Sequence, residues 1–249
     1  MKKEYDNQLV IGRNPVLELI KSNKPVEKIF IQKGLRGPFE VELRNLLKGR
    51  NIPVSYVHPN KLKSFTTLNH QGVVAISSLI EYWELDDLID HVYHKGEVPN
   101  FILLDSITDV RNTGSIIRSA EVLGANGVIL GTKNSAIINH AAIKASAGAI
   151  YNIPLVKTGS IVNTIQTLKD NGINVYASNL HAHTPLYDLD MKSPVCTVLG
   201  SEDKGIGKHI SKLATKEFII PQKGKTDSLN VAVAAGIILY EILVQRSKQ

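Results

Sequence analysis

The amino-acid sequence predicts an α/β protein: a C-terminal part with a mostly parallel sheet covered by helices, and a small N-terminal α/β domain. From residue 101 onward, short apolar segments alternate regularly with amphipathic ones. This alternation is typical of β-strands joined by crossover helices, which produce parallel sheets. The apolar segments are continuous, as expected for strands that helices cover on both faces.

The N-terminal block has strand and helix signals of its own. A strand ends at Ile11, and Asn14 is predicted to cap a helix in which Pro15 takes the first position. The elements expected after it are a strand at 28–31, a helix from about 38, a strand at 54–57, a short helix near 61–65 and a strand at 72–76. We expect a compact α/β domain at residues 1–78.

An acidic linker is expected at residues 79–99. Residues 81–99 contain six acidic side chains and one basic side chain. Within it, four apolar residues share one helical face and predict a short amphipathic helix that ends at Lys95-Gly96: Leu85, Leu88, Ile89 and Val92. His91 and His94 stand three residues apart on this helix, but no further ligand is nearby, and no metal site is predicted.

The C-terminal domain is expected at residues 100–249. Its strands are predicted at 101–105, 127–130, 153–156, 173–177, 195–200 and 217–220, and its helices at 113–123, 139–147, 160–171, 206–214 and 230–245. In open parallel sheets, ligands bind beyond the carboxyl ends of the strands. The loops that follow these strands are therefore the places to look for a site.

Composition excludes several classes of protein. With 43% apolar and 21% charged residues, the 249-residue chain can bury a core and is not intrinsically disordered. The sequence contains no run of about 18 uncharged apolar residues, so no membrane span is predicted. The charged N-terminus does not resemble a signal peptide. The only cysteine, Cys196, falls in a predicted buried strand, which excludes a disulfide within the chain. We expect a cytoplasmic protein.

The net charge of +6 is distributed unevenly. Residues 1–80 carry +7, residues 81–99 carry −5 and residues 100–249 carry +4. A basic N-terminal block favours a polyanionic partner such as a nucleic acid, because clustered lysine and arginine residues attract phosphate groups.

Two familiar nucleotide-binding motifs are missing. The strand at 101–105 is not followed by the glycine fingerprint of dinucleotide-binding domains. The segment from Gly200 to Gly205 has the glycine spacing of a P-loop, but Ile206-Gly207 stands where Lys-Ser or Lys-Thr is required.

Three other constellations lie at strand-to-helix junctions. In the first, Asn112-x-Gly114-x-x-x-Arg118, Asn112 occupies the predicted cap of the helix that starts near Thr113. From the residues alone, Asn112 either caps the helix or binds a ligand, and Gly114 either allows tight packing or lets a ligand approach. Arg118, in an otherwise apolar helix, is either a structural ion-pair partner or a substrate ligand.

The second constellation is Leu199-Gly200-Ser201-Glu202, where glycine allows close approach of the backbone to a ligand. Glu202 either takes part in the site or only complements the dipole of the helix that follows. The third is Ser228-Leu229-Asn230. Ser228 and Asn230 either take part in the site, or one of them only caps the last helix.

Together, in this order and at these junctions, the three constellations resemble the signature motifs of the SpoU (TrmH) family of ribose 2′-O-methyltransferases, in the SPOUT superfamily. The resemblance covers residues 100–249. The N-terminal block, with Gly12–Val16 and His70–Val74, is similar to the small substrate-binding domain of the subgroup that methylates a guanosine in large-subunit ribosomal RNA.

The resemblance implies a C-terminal trefoil knot, S-adenosylmethionine as cofactor, no metal, RNA as substrate and a homodimer formed through the catalytic domain. It implies that Arg118 orients the ribose hydroxyl and stabilises charge that develops on it. The residues implied to complete the catalytic frame are Asn112, Glu202, Ser228 and Asn230. Those implied to bind the cofactor are Ser178, Asn179, Leu199, Gly200, Ile220 and Leu229, and those implied to bind RNA are Arg13 and Asn14. Ala232 and Gln222 depart from the family pattern, where serine and methionine are common.

Three alternative functions remain open at this stage. The same chemistry could act on transfer RNA, or the chain could be a non-catalytic RNA-binding or assembly protein that uses the fold as a scaffold. A small-molecule nucleotide enzyme would not explain the basic N-terminal block.

Deleting residues 1–78 is expected to preserve cofactor binding but to weaken RNA binding and reduce its salt dependence, because this segment carries most of the basic excess. Calorimetry with the cofactor and RNA titrations at several salt concentrations check this. Unchanged RNA affinity and salt slope in the truncated protein would exclude RNA capture by this domain.

Overall fold

The computed structural model describes residues 8–201, 205–224 and 228–247. These residues form two compact units. The first contains the described residues up to Glu81 together with Ile137–His140, and the second contains Tyr82–Ala136 and the described residues from Ala141 onward.

The first unit is built on a four-stranded mixed sheet in the order β1-β4-β2-β3. Its strands are β1 Leu9–Ile11, β2 Val26–Gln32, β3 Val54–Val57 and β4 Val73–Ser77. Strand β4 runs antiparallel to β1 and β2, whereas β2 and β3 are parallel. The carboxyl ends of β1 and β2 and the start of β4 therefore lie at one edge of the sheet.

Helices cover both faces of this sheet. They are α1 Arg13–Lys21, α2 Pro38–Leu46 and α3 Pro59–Phe65. Helices α1 and α2 contribute Val16, Ile20 and Leu43 to a core on one face. Helix α3 closes the other face, where the rings of Phe65 and Phe30 lie 4.7 Å apart.

The predicted cap of α1 is wrong. The helix begins at Arg13, and Gly12 occupies the N-cap position with a φ of 96° and no side-chain hydrogen bond. Because glycine adopts this left-handed conformation without steric cost, the chain turns from β1 directly into the helix. Asn14 lies inside the first turn, where its exposed side chain is not used as a cap.

The second unit is built on a six-stranded sheet in the order β10-β8-β9-β5-β6-β7. Its strands are β5 Asn100–Leu104, β6 Gly127–Gly131, β7 Leu155–Thr158, β8 Asn174–Ser178, β9 Val195–Leu199 and β10 Lys216–Phe218. All pairings between these strands are parallel. The predicted fold class, a mostly parallel sheet flanked by helices beside a small N-terminal α/β unit, is confirmed. The trefoil knot stays a prediction.

The central strands of this sheet are buried on both faces. Phe101 and Val198 have no exposed surface. The helices of this unit are α4 Leu85–His94, α5 Val110–Val122, α6 His140–Ala145 from its second residue onward, α7 Ile161–Asp170, α8 Lys208–Leu213 and α9 Val231–Ser247. Cys196 is also fully buried, and burial raises the pKa of its thiol. This side chain is part of the core, as predicted.

The predicted cap of α5 is also wrong. The helix begins at Val110, and a carboxylate oxygen of Asp109 accepts hydrogen bonds from the backbone amides of Arg111, at 2.6 Å, and Asn112, at 3.2 Å. A charged carboxylate is a strong cap because it also complements the helix dipole. Asn112 consequently lies in the first turn, and its side chain does not cap the helix.

Helix α9 is fixed at both ends. Asn230 caps it, because its side-chain oxygen accepts a hydrogen bond from the amide of Ala232 at 2.9 Å. Near the other end, the guanidinium of Arg246 donates hydrogen bonds to four backbone carbonyls, those of Val98, Pro99, Met191 and Ser193. No helix in the described ranges is both long and apolar enough to cross a membrane.

Gly114 and Gly236 both lie within helices but differ in the space around them. A β-carbon at Gly114 would lie 2.5 Å from the carbonyl oxygen of Ala142 and 2.7 Å from the β-carbon of Ala145. At Gly236 the nearest atom would be the hydroxyl of Ser119, at 4.0 Å. Gly114 therefore lets α5 and α6 pack in close contact, and the packing alternative for this residue is confirmed.

Gly114→Ala is expected to lower the free energy of unfolding by about 1–3 kcal/mol, because the added methyl group overpacks a tight contact. Gly236→Ala is the control and is expected to be neutral or to stabilise by up to about 1 kcal/mol, because alanine favours helix. Denaturant unfolding of both variants checks this. Equal effects of the two substitutions would contradict the role given to Gly114.

Candidate active site

A cavity of about 440 Å³ opens beyond the carboxyl ends of β8, β9 and β10. Its volume lies within the range of roughly 300–1,000 Å³ that small-molecule sites occupy. Two of the three constellations singled out in the sequence, those around Gly200 and Leu229, meet here with the turn after β8. The lining includes Ser178, Asn179, Leu199, Gly200, Ile220, Ser228 and Leu229.

Gly200 lies where two backbone segments cross. A β-carbon at this position would overlap backbone atoms of Gly205 and Ile206. The amide of Gly205 donates a hydrogen bond to the carbonyl of Ser201 at 2.8 Å, which holds these two residues together. Glycine is thus required because the chain's own backbone approaches closely. Glu202 belongs to this loop and lies outside the described residues.

Asn179 forms the turn that follows β8. Its side-chain amide donates a hydrogen bond to Glu217 at 2.9 Å, and its side-chain oxygen accepts one from the amide of His181 at 3.0 Å. The Asn179 side chain is therefore committed to shaping the wall of the cavity. The hydroxyls of Ser178 and Ser228 have no hydrogen-bond partner within the described ranges and remain able to bind a ligand.

Glu217 was not singled out in the sequence, yet it connects three elements around the cavity. One carboxylate oxygen accepts hydrogen bonds from Asn179, after β8, and from the hydroxyl of Ser211 on α8. These two hydrogen bonds lower the pKa of Glu217. A glutamate in a short strand is an ordinary surface residue in sequence terms, so no pattern could have identified it.

Arg118, Asn112 and Asn230 do not line the cavity. The side-chain amide of Asn230 donates a hydrogen bond to the side-chain oxygen of Asn112 at 3.2 Å, which joins the starts of α9 and α5. Arg118 is exposed, and it makes no hydrogen bond or ion pair with any residue that the structure describes. Its alternative role as a structural ion-pair partner is therefore not supported.

Arg13 and Asn14, the residues predicted to bind RNA, line a separate groove within the first unit. The described residues of the chain contain no group of three histidine, cysteine or acidic side chains placed to hold a metal ion.

The lowered pKa of Glu217 predicts a pH-dependent contribution to stability. A carboxylate with a depressed folded-state pKa stabilises the fold above its unfolded pKa of about 4.3, and this contribution disappears as the pH falls through the folded value. Glu217→Gln should therefore lower Tm at neutral pH, and the difference from wild type should shrink towards low pH. Asp90→Asn, at an exposed position of α4, is the control. A difference independent of pH would contradict the prediction.

Comparison with known proteins identifies both parts of the chain. Residues 99–240 match the model of the SpoU rRNA Methylase family, and residues 9–83 match that of the RNA 2′-O ribose methyltransferase substrate-binding domain. YacO of Bacillus subtilis, whose name places it among TrmH family tRNA/rRNA methyltransferases, is 34% identical over 247 residues, which are 99% of this chain and 98% of YacO. A Staphylococcus aureus protein of the same family name is 32% identical and covers 97% of each chain.

Solved structures of RNA methyltransferases have the same fold. AviRb from Streptomyces viridochromogenes, in complex with the cofactor AdoMet, is 25% identical with a TM-score of 0.62, over 97% of this chain and 91% of AviRb. An AdoMet-bound rRNA methyltransferase from Sinorhizobium meliloti is 27% identical with a TM-score of 0.61, over 97% and 90% of the two chains. Because the family model spans more than half of the chain and a relative shares 34% identity over nearly its full length, this protein belongs to the SpoU (TrmH) family of RNA methyltransferases.

Proposed function

We propose that this protein is an S-adenosylmethionine-dependent ribose 2′-O-methyltransferase that acts on a guanosine of large-subunit ribosomal RNA. The observation that carries this proposal is the cavity at the ends of β8, β9 and β10, which gathers residues of all the cofactor-binding loops implied by the family motifs. Transfer RNA is the second candidate substrate, because the names of the curated relatives include both RNA classes.

The lining of the cavity fits the proposed cofactor. Leu199, Ile220 and Leu229 offer apolar contact and backbone groups to an adenosine moiety. The free hydroxyls of Ser178 and Ser228 offer hydrogen bonds to the polar parts of the same ligand. When bound, S-adenosylmethionine supplies an activated methyl group on its sulfonium centre.

Arg118 is proposed to orient the ribose hydroxyl. An arginine remains protonated at neutral pH and is a poor general base, but its fixed fork of donors stabilises negative charge that develops on an attacking oxygen. The hydrogen bond between Asn112 and Asn230 holds the first turn of α5 against α9. It thereby sets the orientation of the helix that carries Arg118, and Glu202 is proposed to complete this frame.

A homodimer formed through the catalytic domain is part of the proposal. Val233, Ile237 and Tyr240 recur at helical spacing on α9 and are 52%, 39% and 60% exposed. Exposed apolar side chains on one helical face favour contact with a partner. Arg118 does not line the cavity of its own chain. A second copy is proposed to cover α9 and to bring Arg118 of one chain to the cofactor of the other.

A non-catalytic RNA-binding protein is the rival from another class. Transfer of tritium from labelled S-adenosylmethionine to RNA separates the two functions. Mapping of 2′-O-methyl groups across total RNA, from cells with and without the protein, identifies the substrate. The proposal also places the enzyme in the cytoplasm.

Arg118→Ala is expected to fold and to bind S-adenosylmethionine normally, while methyl transfer falls by about 10²–10³-fold, because one donor to the developing charge is lost. Arg111→Ala is the matched control, since Arg111 is an exposed arginine on the same helix. Cofactor calorimetry and tritium-transfer rates check both variants. Near-normal turnover by Arg118→Ala would refute the role of this residue.

A further inference from the structure

The first unit contains a second concave site, a groove of about 600 Å³ at the sheet edge where β1 and β2 end and β4 begins. We refer to it as the amide groove. Its lining combines Arg13, Asn14, Gln32, Leu35 and the segment 69–72. None of these residues is acidic, and residues 1–80 carry a net charge of +7. The charge of the groove therefore suits a polyanion.

The floor of the amide groove is a hydrogen-bonded turn. Gln71 and Gly72 both have positive φ angles, of 49° and 84°. Arg13 holds this turn, because its backbone amide donates a hydrogen bond to the side-chain oxygen of Gln71 at 3.0 Å and its Nε donates one to the Gln71 carbonyl at 3.1 Å. A β-carbon at Gly72 would lie 3.1 Å from Leu35, whose side chain forms an apolar wall.

Several hydrogen-bonding groups in the groove have no partner in the part of the chain that the structure describes. The side-chain amides of Asn14 and Gln32 make no hydrogen bond there. His70 accepts a hydrogen bond from the amide of Gly72 through Nδ1, at 3.0 Å, so its Nε2 carries the proton and is a donor. Asn69 uses its side-chain oxygen for the amide of Gln71, at 3.2 Å, and leaves its NH₂ group free.

This set of groups is suited to a nucleobase rather than to a phosphate alone. A carboxamide offers a donor and an acceptor side by side, and it pairs with the edge of a base, whereas phosphate requires only donors. The edges of bases are accessible in single-stranded RNA, where unpaired bases also contact apolar and guanidinium surfaces. Leu35 and Arg13 supply such surfaces next to the two amides.

We propose that the amide groove binds one unpaired nucleotide of the RNA substrate and reads its base through Asn14 and Gln32. This inference rests on the proposed function and assigns the N-terminal unit a part in substrate selection as well as in electrostatic capture. Arg13 maintains the groove, whereas the two amides discriminate between bases.

The test compares the binding of single-stranded rA, rC and rU homopolymers to the full-length protein by fluorescence anisotropy. Wild type should discriminate between these probes by about tenfold, the value of a well-formed contact to a base edge. The double variant Asn14→Ala/Gln32→Ala should bind all three with similar affinity, while its salt slope stays unchanged because no cation is removed. Asn45→Ala, an exposed amide on α2, is the matched control and should retain discrimination.

If the double variant melts at a lower temperature than Asn45→Ala, the test is repeated with Gln32→Met. Methionine has about the size of glutamine but cannot form the amide hydrogen bonds. Equal binding of the three probes by wild type, or full discrimination by the amide variants, would overturn the inference. Tritium transfer is measured on the same proteins. If the wild-type protein transfers methyl groups and the amide variants still discriminate between the probes, only the role of the amide groove is refuted. If the wild-type protein transfers no methyl group to any RNA, the proposed function is refuted.

Discussion

Parallel pairing of β8 with β9 and β10 is the constraint on which the candidate active site depends. Parallel strands end at the same edge of a sheet, so residues far apart in the chain become neighbours there. In the observed register, Ala177 pairs with Val198, and Phe218 pairs with Ser178. The loops after all three strands therefore converge, and their backbones form the walls of one cavity.

The cavity depends on contacts between backbone segments more than on free polar side chains. Gly200 permits a close approach that no other residue could, because any β-carbon there would overlap backbone atoms of Gly205 and Ile206. Glu217 stabilises the surrounding turns by accepting hydrogen bonds from Asn179 and Ser211. The catalytic arginine that we propose lies elsewhere, on α5. We propose a cofactor site built from backbone segments and a separate cationic group, and in keeping with this Arg118 makes no hydrogen bond or ion pair with the described residues.

The two units differ in the kind of recognition that we propose for them. A basic surface attracts any RNA, because phosphate contacts carry no direct sequence information. The amides of Asn14 and Gln32, which make no hydrogen bond with the described residues, are proposed to add hydrogen bonds that depend on the identity of a base. Methylation of one chosen nucleotide requires both, since electrostatic capture alone would place the catalytic unit at many positions along the RNA.

The sequence by itself determined the fold class, the order of nearly all strands and helices, the burial of Cys196 and the three motif-bearing loops. These features depend on hydrophobic periodicity and on residues close together in the chain. It misplaced the caps of α1 and α5, because Gly12 and Asp109 compete locally with Asn14 and Asn112, and capping depends on backbone geometry. Only the tertiary structure decided the hydrogen bond between Asn112 and Asn230, the hydrogen bonds of Glu217 to residues of the cavity wall and the lack of a hydrogen-bond or ion-pair partner for Arg118 among the described residues. These depend on which distant segments strand pairing and helix packing bring together, and no local pattern records that.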